Sequence, residues 1–422
     1  MISRVTCRAT LWIALSLVAS PLHAAPFRLL AIGDSLTEEY RYEIPFSAPD
    51  SNPSVANAKN WVELLHARRP SAFTMGSSTA SLGSYFDYRN AGYEYNYGVP
   101  GFKAARWDEL LLSTPFDFLD INTKVELTGD LSAVNAVLIF LGGNDLSLTN
   151  SDAQHDAIRQ SIVRIHSYVR ANAPANLPII IATLPDIGAT PAEKLSDPAV
   201  ASAARRRVAT LNASIAEMRL LPNTYIARVD AVTDRIFDQQ PFHLNGTVFS
   251  SAPHPENPPL HLFCKDGFHA GTVIQALIAN EILKAINTFA ATPIPLLTNR
   301  EILADILAQN PDQPYLDWAS GAGGFLDNPD NDPNPDLIEF LLGTNPAQAD
   351  PGFTFLPNGT ASYTPSAEAL RFADLSILQS ATLNNDWIPV PAQNIQTLPN
   401  GTIHLIPSAP KLFYKFAATP KP

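Results

Sequence analysis

The stretch Phe27-Arg28-Leu29-Leu30-Ala31-Ile32-Gly33-Asp34-Ser35-Leu36-Thr37 decides how the rest of the chain is read. Its apolar first half is short enough for a buried parallel strand. Gly-Asp-Ser then breaks the strand, as small, turn-forming residues do where a chain leaves a sheet. Ser35 is thereby expected at the carboxyl end of a strand, where open α/β sheets carry their ligand crevice. The same tetrapeptide also suits an ordinary strand-to-helix turn with Ser35 as a helix cap. The choice depends on whether the chain also supplies a base, an acid to orient it and donors for an oxyanion.

Outward from that stretch, the runs 136–141, 177–184 and 225–229 read as further buried strands. Helical patterns at 60–65, 102–112, 153–170, 199–218 and 272–286 alternate with them. That alternation predicts an α/β fold, a doubly wound and mostly parallel sheet flanked by helices. Asn96-Tyr97-Gly98-Val99-Pro100-Gly101 is a tight turn at a helix entrance, where Gly101 lets a backbone N–H approach a ligand, unless it is simply a turn. The strand 136–141 ends in Gly142-Gly143-Asn144-Asp145, and the Asn144 amide is a donor that cannot ionise. A structural Asn-Asp turn is the alternative. Late in the chain His243, His254, His261, Cys264, Asp266 and His269 share one loop, at spacings that fit no familiar zinc pattern. Within it, Asp266-Gly267-Phe268-His269 sets an acid three residues before an imidazole, close enough to fix its tautomer, or else to cap the next helix beside an unrelated His.

Taken in order, these four blocks resemble the GDSL or SGNH hydrolase family over about 27–289. Ser35 matches its first block, Gly101 the second, Asn144 the third, and Asp266 with His269 the closing Asp-x-x-His. Leu184-Pro185-Asp186-Ile187-Gly188-Ala189-Thr190-Pro191 also looks like the matching segment of secreted GDSL lipases and esterases. The resemblance implies a flavodoxin-like sheet and acyl transfer to water. Ser35 would be the nucleophile, His269 the base and Asp266 its orienter, with the oxyanion held by the Ser35 and Gly101 amides and the Asn144 side chain. No cofactor is implied for catalysis. Ala270 stands where many members carry proline, and the 39–95 region is longer than in compact members. No Gly-x-Ser-x-Gly elbow is present, which argues against the α/β-hydrolase architecture.

Composition and punctuation divide the 422 residues further. Residues 1–24 read as a signal peptide, with Arg4 and Arg8 before an apolar run too short to span a bilayer and Leu22-His23-Ala24 at its end. The expectation is a secreted, periplasmic or cell-surface protein with a hydrolase domain at 25–292, a linker at 293–350 and a small β-sandwich at 351–422. Without Cys7, Cys264 stands alone, so no intramolecular disulfide forms and a small buried thiol is expected. A net charge of −12 argues against a nucleic-acid partner and promises no attraction to an anionic membrane surface.

The linker opens with Thr298-Asn299-Arg300-Glu301, a capping box. It then places Asn328, Asp330, Asp332, Asp336 and Glu339 at loop positions 1, 3, 5, 9 and 12, the ligand rhythm of a calcium loop. Pro333 at position six departs from that pattern, and a solvated acidic linker is the alternative. The passage on to Gly343-Thr344-Asn345-Pro346 resembles the Asp-rich calcium-loop segments that precede C-terminal β modules in secreted bacterial proteins. Beyond it, short strands are expected at 370–372, 375–378, 387–390, 402–406 and 412–416, with hairpin turns at Asn358-Gly359 and Asn400-Gly401. The expected substrate is an ester on an acylated carbohydrate, a preference resting on the β module and on Tyr85, Tyr88, Tyr93, Tyr95 and Tyr97. A lipase or lysophospholipase is the alternative, and a non-catalytic binding protein on the same scaffold is a third reading.

Overall fold

The computed structural model describes residues 25–42, 58–89, 91–114, 117–320, 323–357, 360–384, 386–408 and 412–422. The expected signal peptide and the Asn358-Gly359 turn lie outside them. Six strands form the central sheet: β1 (Phe27–Gly33), β2 (Phe73–Thr74), β3 (Asn96–Gly98), β4 (Ala136–Phe140), β5 (Ile179–Ala182) and β6 (Thr224–Ala227). All run parallel in the order β2-β1-β4-β5-β6, and β3 takes over the β1 edge where β2 ends, pairing Ala31–Gly33 with Asn96–Gly98. Leu29 to Ile32, all of β4 and Ile179 to Ile181 are essentially inaccessible, as befits strands covered on both faces.

Seven helices cover the sheet: α1 (Trp61–Arg68), α2 (Ala104–Leu112), α3 (Phe118–Asp130), α4 (Asp152–Asn172), α5 (Pro198–Ala216), α6 (Asp230–Asp238) and α7 (Thr272–Asn287). The chain winds from β1 through α1 to β2 in one direction, and from β4 through α4 and α5 to β6 in the other. Right-handed crossovers therefore put α1 opposite α4 and α5. Helix α7 packs on α1, and α2 packs on α4. Reversal of strand order beside β1 leaves a crevice at the carboxyl ends of β1 and β4.

No sequence signal marks β2, α3 or α6, and Asn96–Gly98, expected as part of a tight turn, is strand β3, with the turn following at 99–102. Helix α3 escaped because Phe118, Ile121 and Val125 face solvent, so its apolar residues do not mark a buried stripe. Another difference concerns 293–307, expected in the linker. Ile294, Leu297, Ile302, Leu303 and Leu307 are buried in the main core. Thr298 does cap the following turn, its hydroxyl accepting from the Glu301 amide at 3.1 Å. The Glu301 side chain, however, takes Arg68 and Arg69 of the α1 end at 2.7–2.9 Å instead of completing the capping box.

Past that point lie α8 (Gln313–Trp318) and α9 (Asp336–Leu342), then seven strands. These are β7 (Thr354–Phe355), β8 (Ala361–Tyr363), β9 (Ala373–Ser380), β10 (Ile388–Pro389), β11 (Ile395–Thr397), β12 (Ile403–Leu405) and β13 (Phe413–Pro420). They form two antiparallel sheets, β7-β8-β12-β11 and β10-β9-β13. Phe353, Ala361, Tyr363, Leu405, Ile377 and Val390 draw on both sheets for one apolar cluster. The turn between β11 and β12 runs through Asn400-Gly401, with Gly401 at φ +85°. Residues 370–372, expected as a strand, end a short 3-10 turn instead. Phe372 is thereby delivered into a second cluster with Tyr315 and Phe340.

Candidate active site

At the end of β1 the chain folds back on Asp34. Its carbonyl accepts the Thr37 and Glu38 amides at 2.9 and 3.0 Å, and its carboxylate accepts the Leu36 amide at 3.0 Å. Two buried asparagines hold this elbow from outside. Asn60 donates to the carbonyls of Thr37 and Glu38 at 3.1 and 2.8 Å, and Asn96 donates to Thr37 at 2.9 Å. A Cβ on Gly98 would sit 2.5 Å from the Glu38 amide nitrogen, so β3 approaches the elbow as only glycine permits. Asp34 is buried, and burial pushes its carboxyl up to about 6. The Leu36 amide and His269 oppose that shift, while Asp145 adds to it.

Ser35 Oγ lies 2.9 Å from His269 Nε2, across 234 positions of sequence. His269 Nδ1 lies 2.6 Å from Asp266 Oδ2, while Asp266 Oδ1 accepts the Phe268 and His269 amides at 2.9 and 3.0 Å. One carboxylate oxygen thus shapes the loop and the other holds the ring. Burial raises the Asp266 carboxyl, but the His269 ring and the two amides outweigh it and leave the group below its ordinary value. The loop is tied to the Ser35 elbow through Tyr40, which donates to the Ala270 carbonyl at 3.1 Å and accepts from Gln275 of α7 at 2.7 Å.

Gly101 and Asn144 come together for a local reason. Asn144 Nδ2 donates to the Phe102 carbonyl at 3.0 Å, and Asp145 accepts the Ala104 amide at 2.7 Å. Asp145 caps α2, whose own cap position, Lys103, makes no side-chain bond. Gly101 is exposed with φ +76°, a left-handed conformation that favours glycine, and open space lies where its Cβ would be. The end of β1 joins the same assembly, its Gly33 carbonyl accepting from Val99 and from Trp107 Nε1 at 3.1 and 3.0 Å. The five residues expected from sequence thus lie on strand ends, turns and helix entrances at one rim of the sheet. Hydroxyl, imidazole and carboxylate are in line for proton relay. The supporting Asn60, Asn96, Tyr40 and Gln275 were missed, since nothing in a lone Asn or Tyr announces a bond to a loop 20 to 230 positions away.

Behind the elbow lies an apolar cavity of about 50 Å³, lined by Leu36, Ile187, Val232, Phe268, Ile274 and Ile278 among others. The aromatic insertion is largely engaged within the protein. Tyr97 is buried and donates to Asp130 at 2.7 Å, Arg89 lies over the rings of Tyr85 and Tyr97, and Tyr93 stacks on His66 at 3.6 Å. Cys264 is buried against Tyr40 and Ala58, and burial raises its thiol well above the ordinary value. His254 and His261 pack edge to face, and His261 Nδ1 bonds the Ala252 carbonyl. Among the described residues one group of side chains is spaced for a metal ion. It is Asp330, Asp332 and Glu339 in the acidic loop, far along the chain from Ser35.

A family model, GDSL-like lipase/acylhydrolase, matches residues 29–282, more than half of the chain. The chain belongs to this family. Hydrolase membership accords with the parallel sheet and its flanking helices. No curated protein matches the sequence. Among solved structures, an acetyl xylan esterase variant from Geobacillus stearothermophilus is similar at 16% identity, covering 64% of this chain and 98% of its own, with a TM-score of 0.34. Phospholipase A1 from Streptomyces albidoflavus NA297 is similar at 15% identity, with 63% and 100% covered and a TM-score of 0.35. The SGNH-hydrolase family esterase AlinE4 is similar at 18% identity, with 52% and 86% covered and a TM-score of 0.27. Likeness at these levels carries no argument about substrate.

Proposed function

We propose that this hydrolase is a secreted serine esterase that cleaves carboxylic esters through an acyl-enzyme on Ser35. The observation that carries the reading is the unbroken Ser35–His269–Asp266 relay, at 2.9 and 2.6 Å. In the proposed reaction His269 Nε2 takes the Ser35 proton as Oγ attacks the ester carbonyl. Asp266 holds the imidazole and stabilises the imidazolium that forms. The carbonyl oxygen becomes an oxyanion and receives the amides of Ser35 and Gly101. It also receives the second N–H of Asn144, whose first is committed to Phe102. His269 then returns its proton to the leaving alcohol, and water repeats the sequence on the acyl-enzyme.

The acyl group is proposed to be short. It is assigned to the small apolar cavity lined by Leu36, the residue after the nucleophile, and by Phe268, the residue before the base. An acylated carbohydrate remains the proposed alcohol side, now supported by the appended β module rather than by the tyrosines. A panel of acetylated glycans and of simple esters from two to sixteen carbons tests this. Preference for acetylated glycans and two- to four-carbon esters supports the reading. Peak turnover on long-chain lipid esters would replace it with the lipase reading.

A further inference from the structure

The acidic loop carries buried oxygens with nothing to bind. Asn328 Oδ1, Asp330 Oδ2, Asp336 Oδ1, Asp350 Oδ2 and both carboxylate oxygens of Glu339 are buried and without a hydrogen-bond partner. Glu339 itself is fully inaccessible, and Asp336 nearly so. A buried carboxylate is ordinarily paired with a cation or with several donors, because removing it from water is costly. The segment itself supplies no cation, since no Lys, Arg or His occurs between Arg300 and Arg371, and among the described residues no Lys, Arg or His bonds these oxygens. The carboxylates nonetheless converge, with oxygens of Asp330, Asp332 and Glu339 within 4.8 Å of one another. Burial, with Asp330, Asp332, Asp336 and Asp350 nearby, pushes the Glu339 carboxyl up to about 7.

The departure at loop position six is resolved by the backbone. Pro333 cannot make the left-handed turn that glycine would, and the chain makes it two residues earlier, at Asn331 with φ +61°. Asp350 was not part of the sequence pattern. It reaches the loop because its amide donates to Asp332 Oδ2 at 2.9 Å and its carbonyl accepts from Asn334 Nδ2 at 3.2 Å. Three residues on, Phe353 stacks on Phe416 of β13 with ring centres 4.1 Å apart, inside the core of the β module.

We propose that the loop Asn328–Glu339, closed by Asp350, is a calcium site whose ion fastens the β module to the segment that precedes it. The donors are all hard oxygens, with neither nitrogen nor sulfur, and Glu339 offers two of them. Three converging carboxylates, with further buried and unpartnered oxygens in the same loop, suit Ca²⁺ better than the smaller Mg²⁺, which prefers to keep its waters. The ion would neutralise the repulsion that otherwise pushes Asp350, and with it Phe353, away from the loop. The inference is independent of the esterase reading.

The test is calorimetric titration of the EDTA-treated full chain with CaCl₂, beside thermal melts with and without Ca²⁺. One ion should bind per chain, more tightly than Mg²⁺, and raise the melting temperature. Glu339→Gln and Asp350→Asn should each weaken binding by roughly 10- to 100-fold. Without Ca²⁺, Glu339→Gln should melt no lower than the parent, because it removes an uncompensated buried charge, whereas with Ca²⁺ the parent should melt higher. The proposal is overturned if the parent binds no Ca²⁺, if both variants bind it as tightly as the parent, or if Glu339→Gln melts lower to the same extent with and without Ca²⁺.

Discussion

Asn144 separates an oxyanion donor from a turn residue most sharply, since it is engaged with Phe102 and still has an N–H to give. Asn144→Ala should cost about 10²–10³ in kcat, or roughly 2.7–4 kcal/mol of transition-state stabilisation, with little change in KM. Asn144→Asp should be at least as harmful, because it sets a negative charge against a developing one. A turn residue would behave otherwise, with Asp the milder replacement; kinetics beside thermal melts for both variants decide. Asp34 offers a second residue-level test, through pH. Its folded carboxyl, at about 6, lies above the ordinary 3.8, so the folded state binds the proton more tightly than the unfolded one. Its contribution to stability is therefore complete below about pH 4 and is lost as pH rises through about 6. Asp34→Asn keeps an acceptor for the Leu36 amide, and chemical denaturation across pH 4–7 should show a shallower decline than in the parent.

At the scale of elements, the turn at 299–306 belongs to the hydrolase core because Glu301 binds both arginines at the end of α1. The Arg69 and Arg68 bonds outweigh burial and hold the Glu301 carboxyl down at about 2. That stability is present above the ordinary carboxylate range and is lost as pH falls through about 2. Glu301→Gln should cost about 1–3 kcal/mol at pH 7, discounted for the partial exposure of Arg68, and much less at pH 2, as read by urea denaturation. Thr298 as the cap of this turn was legible in sequence, but the expected capping box is not formed, because the arginines that take Glu301 lie more than 230 positions away. The same division runs through the fold. Strands β1, β4, β5 and β6 stood out as apolar runs between turn residues, and the long α4, α5 and α7 by their periodicity. Two-residue β2 and solvent-facing α3 carry no such signal. In the site, residues flanked by glycines and other turn formers were visible, whereas Asn60, Asn96 and Tyr40 act through distant carbonyls.

For the molecule as a whole, the structure moves the division between the two units. A chain ending near 310 keeps Ile294, Leu297, Ile302, Leu303 and Leu307 in the main core, whereas one ending at 292 discards them all. Each such side chain contributes roughly 1.5–3 kcal/mol by burial, and their joint loss approaches the stability of an ordinary domain. Truncation after residue 310 should therefore leave a folded protein with small-ester turnover near that of the full chain. Truncation after 292 should give a strongly lowered melting temperature or aggregation. Equal melting of the two products would show that 293–307 is a linker after all.

The central claim is that Ser35 and His269 act as one unit on an ester. Its most direct test is the turnover of a short-chain chromogenic ester by the parent, Ser35→Ala, His269→Ala and the double variant, each with its fold verified by circular dichroism. Loss of about 10⁴-fold or more in kcat for either single variant, with the double variant little worse, is the predicted result. A folded Ser35→Ala protein that retains turnover within about tenfold of the parent would contradict it.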